Sequence, residues 1–152
     1  MKLAEALILR AEQQKRLKQL QSRMLKNARV QEGDTPAEDP NALLAEFNTI
    51  VAELTTLIQR INRTNSSTSL PGHGTIADAI AQRDGLRWRA GTYRELAYAA
   101  LITQSAFGRN EIKFRSTVSV ANLQKQADAF AQQHRELDAL LQGTNWIVDL
   151  LD

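Results

Sequence analysis

The chain contains no cysteine, which excludes a disulfide framework, thiol catalysis and cysteine-based zinc or iron–sulfur sites. Aromatic residues supply only 5% of its 152 positions, while Ala, Leu and Gln are abundant; a sandwich or barrel is disfavoured and long helices are favoured. No run approaches the roughly 18 consecutive apolar residues that a membrane-spanning helix needs. The opening apolar stretch is broken by Glu5 and closed by Arg10, so it reads as a helix start rather than an export signal, and a cytoplasmic protein is expected. Catalytic signatures are missing too: there is no phosphate-cradling glycine loop, nucleophile elbow, paired-histidine metal helix or dinucleotide fingerprint. The expectation is a non-enzymatic protein with no cofactor and no small-molecule substrate.

Basic residues are also missing over one long segment. Residues 32–58 hold six acids and no base, whereas residues 1–31 hold eight Lys/Arg against two acids. Residues 59–115 are basic again, nine against four, and residues 116–152 are acidic, two against five. A pI near 9.2 would ordinarily suggest a nucleic-acid partner, but consecutive blocks of opposite sign suggest that the basic first helix has an acidic neighbour within the same fold. Free basic charge is then expected mainly within residues 83–115.

Hydrophobic spacing predicts four long helices in one domain spanning residues 1–152, an all-α antiparallel bundle. The first runs from about Lys2 to Val30, with Leu3, Leu7, Ala11, Leu17, Leu20, Met24 and Ala28 on one face. Gly33 and Pro36 end it. The acids Glu32, Asp34, Glu38 and Asp39 that follow lack the spacing of an EF-hand; Asp39 instead suits an N-cap and Pro40 a first helical position. In the second helix Leu43, Phe47, Ile50, Leu54, Leu57 and Ile61 repeat at 4-3-4-3-4, with Leu44, Val51 and Ile58 beside them, a stripe wide enough for more than one neighbour. The helix fades near Asn65 into the principal loop, Ser66–Gly74, whose His73 lies between glycines and is more consistent with a solvated side chain than with a metal ligand. Asn62 and Asn65 match the glycosylation sequon by chance.

The third helix starts at Thr75, with Asp78 three residues on as a capping partner, and runs to about Ile102. Gly85 and Gly91 lie inside it, so either the helix breaks or another backbone approaches closely. Arg83, Arg87, Trp88, Arg89 and Arg94 form a basic, aromatic-interleaved stretch that, with Arg109, Lys113 and Arg115, makes the candidate interaction surface. One reading binds phosphate and stacks a base; the other has Trp88 fill a core or an interface and pairs the arginines with Asp84, Glu95 or the acids of another segment. Residues 111–118 alternate, with Ile112, Phe114, Ser116 and Val118 on one side, and predict a short strand. A lone strand needs an edge from another chain, which implies a homo-oligomer, unless Ser105–Phe107 closes a hairpin. The fourth helix begins near Ser119, carries Leu123, Ala127, Phe130, His134, Leu137 and Leu141 on one face, and ends at Gly143. His134 is expected as a hydrogen-bonded packing residue. Trp146, Ile147, Val148, Leu150 and Leu151 should dock as a terminal anchor.

Met1–Leu7, Asn27–Gly33, Asp39-Pro40, Ile61–Asn65 and Asn145-Trp146 together resemble small bacterial proteins labelled septicolysin-like, over most of the chain. The resemblance implies a bacterial helical protein with no assigned mechanism, and its label implies cytolysis at a membrane. Three functions are therefore set against one another: a self-associating helical scaffold, a nucleic-acid binder using basic helix faces, and a membrane-active lysin.

Overall fold

In the computed structural model, which describes residues 1–102 and 112–152, the chain is mainly α-helical. Its elements are α1 (Leu3–Lys26), α2 (Pro40–Ser67), α3 (Ile76–Ala99) and α4 (Val120–Ile147), with a small antiparallel pairing of β1 (Ser69–Leu70) and β2 (Gly74–Thr75). It divides into two compact units, Met1–Ser69 with Gln142–Asp152, and Leu70–Leu141.

In the first unit α1 and α2 form an antiparallel hairpin, and the charge blocks explain its register. Arg16 Nε donates to Glu46 Oε1 at 3.1 Å, Arg23 Nε to Glu38 Oε2 at 3.0 Å, and Gln13 Nε2 reaches Glu53 at 3.4 Å. Beneath these contacts Leu20, Leu43 and Ile50 are buried together, with Leu17, Met24 and Phe47 partly buried around them. Of the two apolar rows on α2, the row through Leu43, Ile50, Leu54, Leu57 and Ile61 is buried, whereas Leu44 and Val51 are exposed. α1 stops earlier than Val30 because Asn27 closes it: its Nδ2 donates to Arg23 O at 2.9 Å while its Oδ1 accepts from the Glu38 N–H at 3.1 Å. Asp39 caps α2 as expected, accepting from the Asn41 N–H at 2.9 Å ahead of Pro40. α2 continues past Asn65 to Ser67, and no non-glycine residue takes a positive φ among the described residues.

The C-terminal segment docks mainly through its backbone. Leu3 N–H donates to Val148 O and Leu150 N–H to Met1 O, both at 2.9 Å, around an antiparallel bridge of Lys2 with Asp149. Leu151 N–H donates to Thr64 Oγ1 at 3.0 Å, and Arg60 holds Leu151 O at 2.9 Å and the Asp152 carboxylate at 2.8 Å. The expected apolar anchor contributes little: Leu150 is buried, but Trp146, Ile147 and Leu151 are exposed. α4 also passes through Gly143 to Ile147 instead of ending there.

Hydrogen bonds depress three carboxylates. Lys2 holds Asp149 below the usual aspartate range, Arg23 does the same for Glu38, and the Thr75 N–H followed by the Thr75 hydroxyl lowers Asp78. A group whose folded pKa lies below its unfolded value stabilises the fold above the unfolded pKa and loses that contribution as pH falls through the folded one. Starting from ordinary values of 4.5 for Glu and 3.8 for Asp, the melting temperature should hold steady with respect to these groups from neutrality to about pH 5 and fall below it. A pH series of thermal melts tests this, and Asp149→Asn should make the acid-side decline shallower; an unchanged decline would remove the Lys2–Asp149 contact as a contributor.

The second unit opens on the β1–β2 turn, closed by the His73 N–H to Leu70 O bond at 2.9 Å. Gly74 is required there: φ is +82°, and a Cβ would come within 2.6 Å of Asp78 Oδ2. That carboxylate is held by the capping box of α3, accepting from the Thr75 N–H at 2.8 Å while the Asp78 N–H donates to Thr75 Oγ1 at 3.2 Å. α3 runs unbroken through Gly85 and Gly91, and a Cβ at either would meet nothing within 4 Å, so the expected break or close backbone approach is absent among the described residues. Within this unit α4 is antiparallel to α3, as shown by Arg83–Asp138 at 3.1 Å and the edge-to-face rings of Tyr93 and Phe130 at 5.2 Å.

The expected strand at 111–118 is corrected. Residues 112–116 have no regular structure and 117–118 form a bend. The strands lie at 69–70 and 74–75 instead, where Gly72 and Gly74 at positive φ allow a tight turn that supplies each strand with a partner. Among the described residues, the alternation at Ile112–Val118 has no such local partner. Glu111 and the alternative hairpin through Ser105–Phe107 lie outside the described residues.

Candidate interaction surface

The basic stretch on α3 is sorted by helix geometry into different environments. Arg83 is drawn inward, donating to Asp84 at 3.0 Å and to Asp138 at 3.1 Å, so it braces α3 and α4. Arg87 and Arg94 remain more than 60% exposed and stand 3.9 Å from Asp84 and Asp128, pairs worth little in water. Arg89 has its guanidinium 5.7 Å from the Phe130 ring centroid. Trp88 is 69% exposed and fills no core. Lys113 and Arg115 are exposed, and Arg109 lies outside the described residues.

Trp88, Gly91, Glu95 and Tyr98 follow one another at spacings of three and four and therefore share one side of α3. Tyr98 is 77% exposed. Beyond the helix, Leu101, Ile102, Ile112 and Phe114 are also exposed, with Leu96, Ile102 and Phe114 lining a groove of about 480 Å³. Sequence reading singled out Trp88 and its arginines but missed Tyr98, Leu101 and Ile102. For Tyr98 the available signal was its spacing: it falls off the Ala79, Ala90, Ala97 row of α3 and is aimed away from the buried side, whereas Leu101 and Ile102 lie beyond the end of the helix.

A separate groove of about 750 Å³ runs between α3 and α4. Ala81, Gly85, Leu86, Leu137 and Leu140 line it together with His73, Gln82, Arg89, Gln133 and Glu136. His73 is not freely solvated: Nδ1 is 2.8 Å from Gln82 Oε1 while Gln82 Nε2 donates to His73 O at 3.1 Å. His134 is partly buried on the expected face of α4, but no described residue forms a hydrogen bond with its ring. The acids of the 32–39 loop do not converge, since Glu38 turns to Arg23 and Asp39 to the α2 N-terminus. Among the described residues no three His, Asp or Glu side chains are grouped to hold a metal ion.

A model for a family of unknown function, DUF6847, matches residues 10–150. The chain belongs to that family. A crystal structure of a functionally unknown conserved protein from Corynebacterium diphtheriae is 40% identical, covers 99% of each chain and superposes with a TM-score of 0.92. No curated protein matches.

Membership of DUF6847 overturns the septicolysin-like resemblance: neither the family nor the bacterial relative carries that label. The segments that suggested it include helix-end pieces, such as Asn27, which closes α1, and Asp39-Pro40, which opens α2. Such residues recur wherever helices must be capped, so they are weak markers of descent. Among the described residues no helix is long and apolar enough to cross a membrane. The expectation that free basic charge lies mainly within residues 83–115 is also corrected, because Lys15, Lys18 and Lys26 on α1 and Arg29 just beyond it are exposed. Among the described residues, the acids of the 32–58 block form ion pairs with Arg16, through Glu46 of α2, and with Arg23, through Glu38 ahead of α2.

Proposed function

We propose that this protein is a non-catalytic helical interaction protein that self-associates through the outer side of α3 and the Ile112–Arg115 segment. The carrying observation is the exposure of Trp88, Tyr98, Ile112 and Phe114 at 69%, 77%, 87% and 79% within one compact unit. Fully burying each such side chain is worth about 1.5–3 kcal/mol, and the neighbouring groove that Leu96, Leu101, Ile102 and Phe114 line offers a place for it. Trp, Tyr and Arg are the residues that dominate interface energetics. The rim carries both signs, Arg87 and Arg94 beside the exposed Glu95 and Asp128, so two copies can meet without like charges facing each other. Exposed aromatic side chains, and not an unpaired strand edge, are the basis for association.

Sedimentation equilibrium tests the proposal. The wild-type chain should associate, and Tyr98→Glu with Phe114→Glu should give a monomer with unchanged helical circular dichroism. A monomeric wild type would overturn it.

A second reading has one observation in its favour: Arg87 and Arg94, only loosely paired, stand on the same helix as the exposed Trp88. That arrangement suits stacking and phosphate contact on a single strand. Quenching of Trp fluorescence by a single-stranded oligonucleotide, weakening steeply with salt, would support it, and no binding at low salt would sink it.

A further inference from the structure

The groove between α3 and α4 is a different feature from the self-associating surface. Its lining belongs wholly to the second unit, and its volume of about 750 Å³ falls within the range of small-molecule sites, about 300–1,000 Å³. Three features say what it would take.

The first is Gly85. A glycine inside a helix costs about 1 kcal/mol relative to alanine. Here it serves no turn and no close packing, because a Cβ would meet nothing within 4 Å. The structural consequence of its missing side chain is open space along the lining of the groove, near the small Ala81.

The second is Arg89. Arg83, Arg87 and Arg94 each have an aspartate within 4.0 Å, at 3.0, 3.9 and 3.9 Å, whereas Arg89 has no carboxylate partner among the described residues. Its guanidinium is set against the face of Phe130 and lines the groove, so it is positioned to meet an anion from the ligand.

The third is the His73–Gln82 pair at the other end. Gln82 gives its NH₂ to the His73 carbonyl, which leaves Oε1 as the atom facing Nδ1. Oε1 only accepts, so Nδ1 carries the ring proton and Nε2 is the acceptor of the neutral imidazole. Glu136, whose Oε1 accepts from Gln132 at 2.9 Å, adds acceptor capacity to the same groove. Donors are therefore wanted away from Arg89. Gln82 and Arg89 are seven positions apart on α3, about 10 Å along the axis.

We propose that this groove binds a small amphipathic anion about 10 Å long, with a flat apolar body over Gly85, an anionic group on Arg89 and a hydrogen-bond donor toward His73 and Glu136. The probes are 8-anilinonaphthalene-1-sulfonate and its uncharged parent N-phenyl-1-naphthylamine, titrated by fluorescence into the full chain. Both should saturate at one site per chain, with the sulfonate bound about tenfold more tightly, as a charge-assisted contact implies. Arg89→Gln should abolish that preference and leave the neutral probe unaffected. Gly85→Leu should abolish binding of both probes while retaining helical circular dichroism, since a Cβ there has nothing within 4 Å and the larger side chain extends into open groove. Tyr98→Ala, thirteen positions beyond Gly85 on α3 and outside the groove lining, should change neither. The proposal is overturned by the absence of saturable binding, by a sulfonate preference that survives Arg89→Gln, by undiminished binding to Gly85→Leu, or by loss of binding in Tyr98→Ala.

Discussion

Replacing Leu20 by alanine should lower stability by about 3 kcal/mol, with a fall of about 10 °C in melting temperature for a chain of this size. Leu20 is 1% exposed and sits among Leu43 and Ile50, ringed by Leu17, Met24 and Phe47. Those neighbours come from two helices whose separation is set by the remaining contacts and by the Arg16–Glu46 and Arg23–Glu38 pairs. The walls therefore relax only partly into the space of the lost isobutyl group, and a residual cavity adds to the lost transfer energy. Leu25, 71% exposed on the same helix, is the control: its alanine variant should stay within about 0.5 kcal/mol of wild type. Thermal and denaturant unfolding of the two variants checks this, and equal effects would mean that the α1–α2 contact is not where the first unit draws its stability.

The second large effect is expected at Thr64, the buried polar residue of α2. It is fully buried, its hydroxyl donates to Arg60 O at 2.8 Å, and the same oxygen accepts the Leu151 N–H at 3.0 Å. Thr64→Val keeps the shape but removes the acceptor, leaving the Leu151 amide unpaired at a cost of about 2 kcal/mol. Thr64→Ser keeps the oxygen and loses one methyl group, which should cost about 1 kcal/mol. The order of the two variants separates the hydrogen bond from packing. Amide hydrogen exchange gives a local readout: Leu151 should lose protection in the valine variant and keep it in the serine variant. Protection unchanged in Thr64→Val would show that the C-terminal segment is held without this bond.

Local features were readable from the sequence where neighbouring residues carry the cause. Asp39-Pro40 opening α2, Thr75 and Asp78 capping α3, and the apolar rows of α2 and α4 all depend on interactions within one or two turns. The pairing of the basic and acidic blocks was readable because a short loop forces consecutive helices to be neighbours. The errors have a common origin in contacts between segments distant in the chain. Alternation at 112–118 looked like a strand because periodicity describes a side-chain pattern, but a strand exists only where a partner satisfies its backbone. Gly143 looked like a helix end, although nothing local obliges a glycine to terminate a helix. The apolar C-terminal residues looked like a side-chain anchor, whereas their segment is held chiefly by main-chain bonds to Met1, Leu3 and Thr64, which a composition pattern does not encode.

The candidate sites divide in the same way. Arg87, Trp88 and Arg94 stood out as residue types, yet only the packing of α3 shows that Trp88 faces outward with Tyr98 while Arg83 is drawn to Asp84 and Asp138. The groove was invisible, because His73, Gly85, Arg89 and Glu136 are separated by up to 63 positions and meet only when α4 returns alongside α3. By itself the sequence determined the helical class, the main caps, the buried rows and the pairing of α1 with α2, since each follows from local propensity, short-range periodicity or forced adjacency. Tertiary structure alone decided which arginines are neutralised, which aromatics are left exposed and where open space remains, because these depend on what one helix presents to another across the chain.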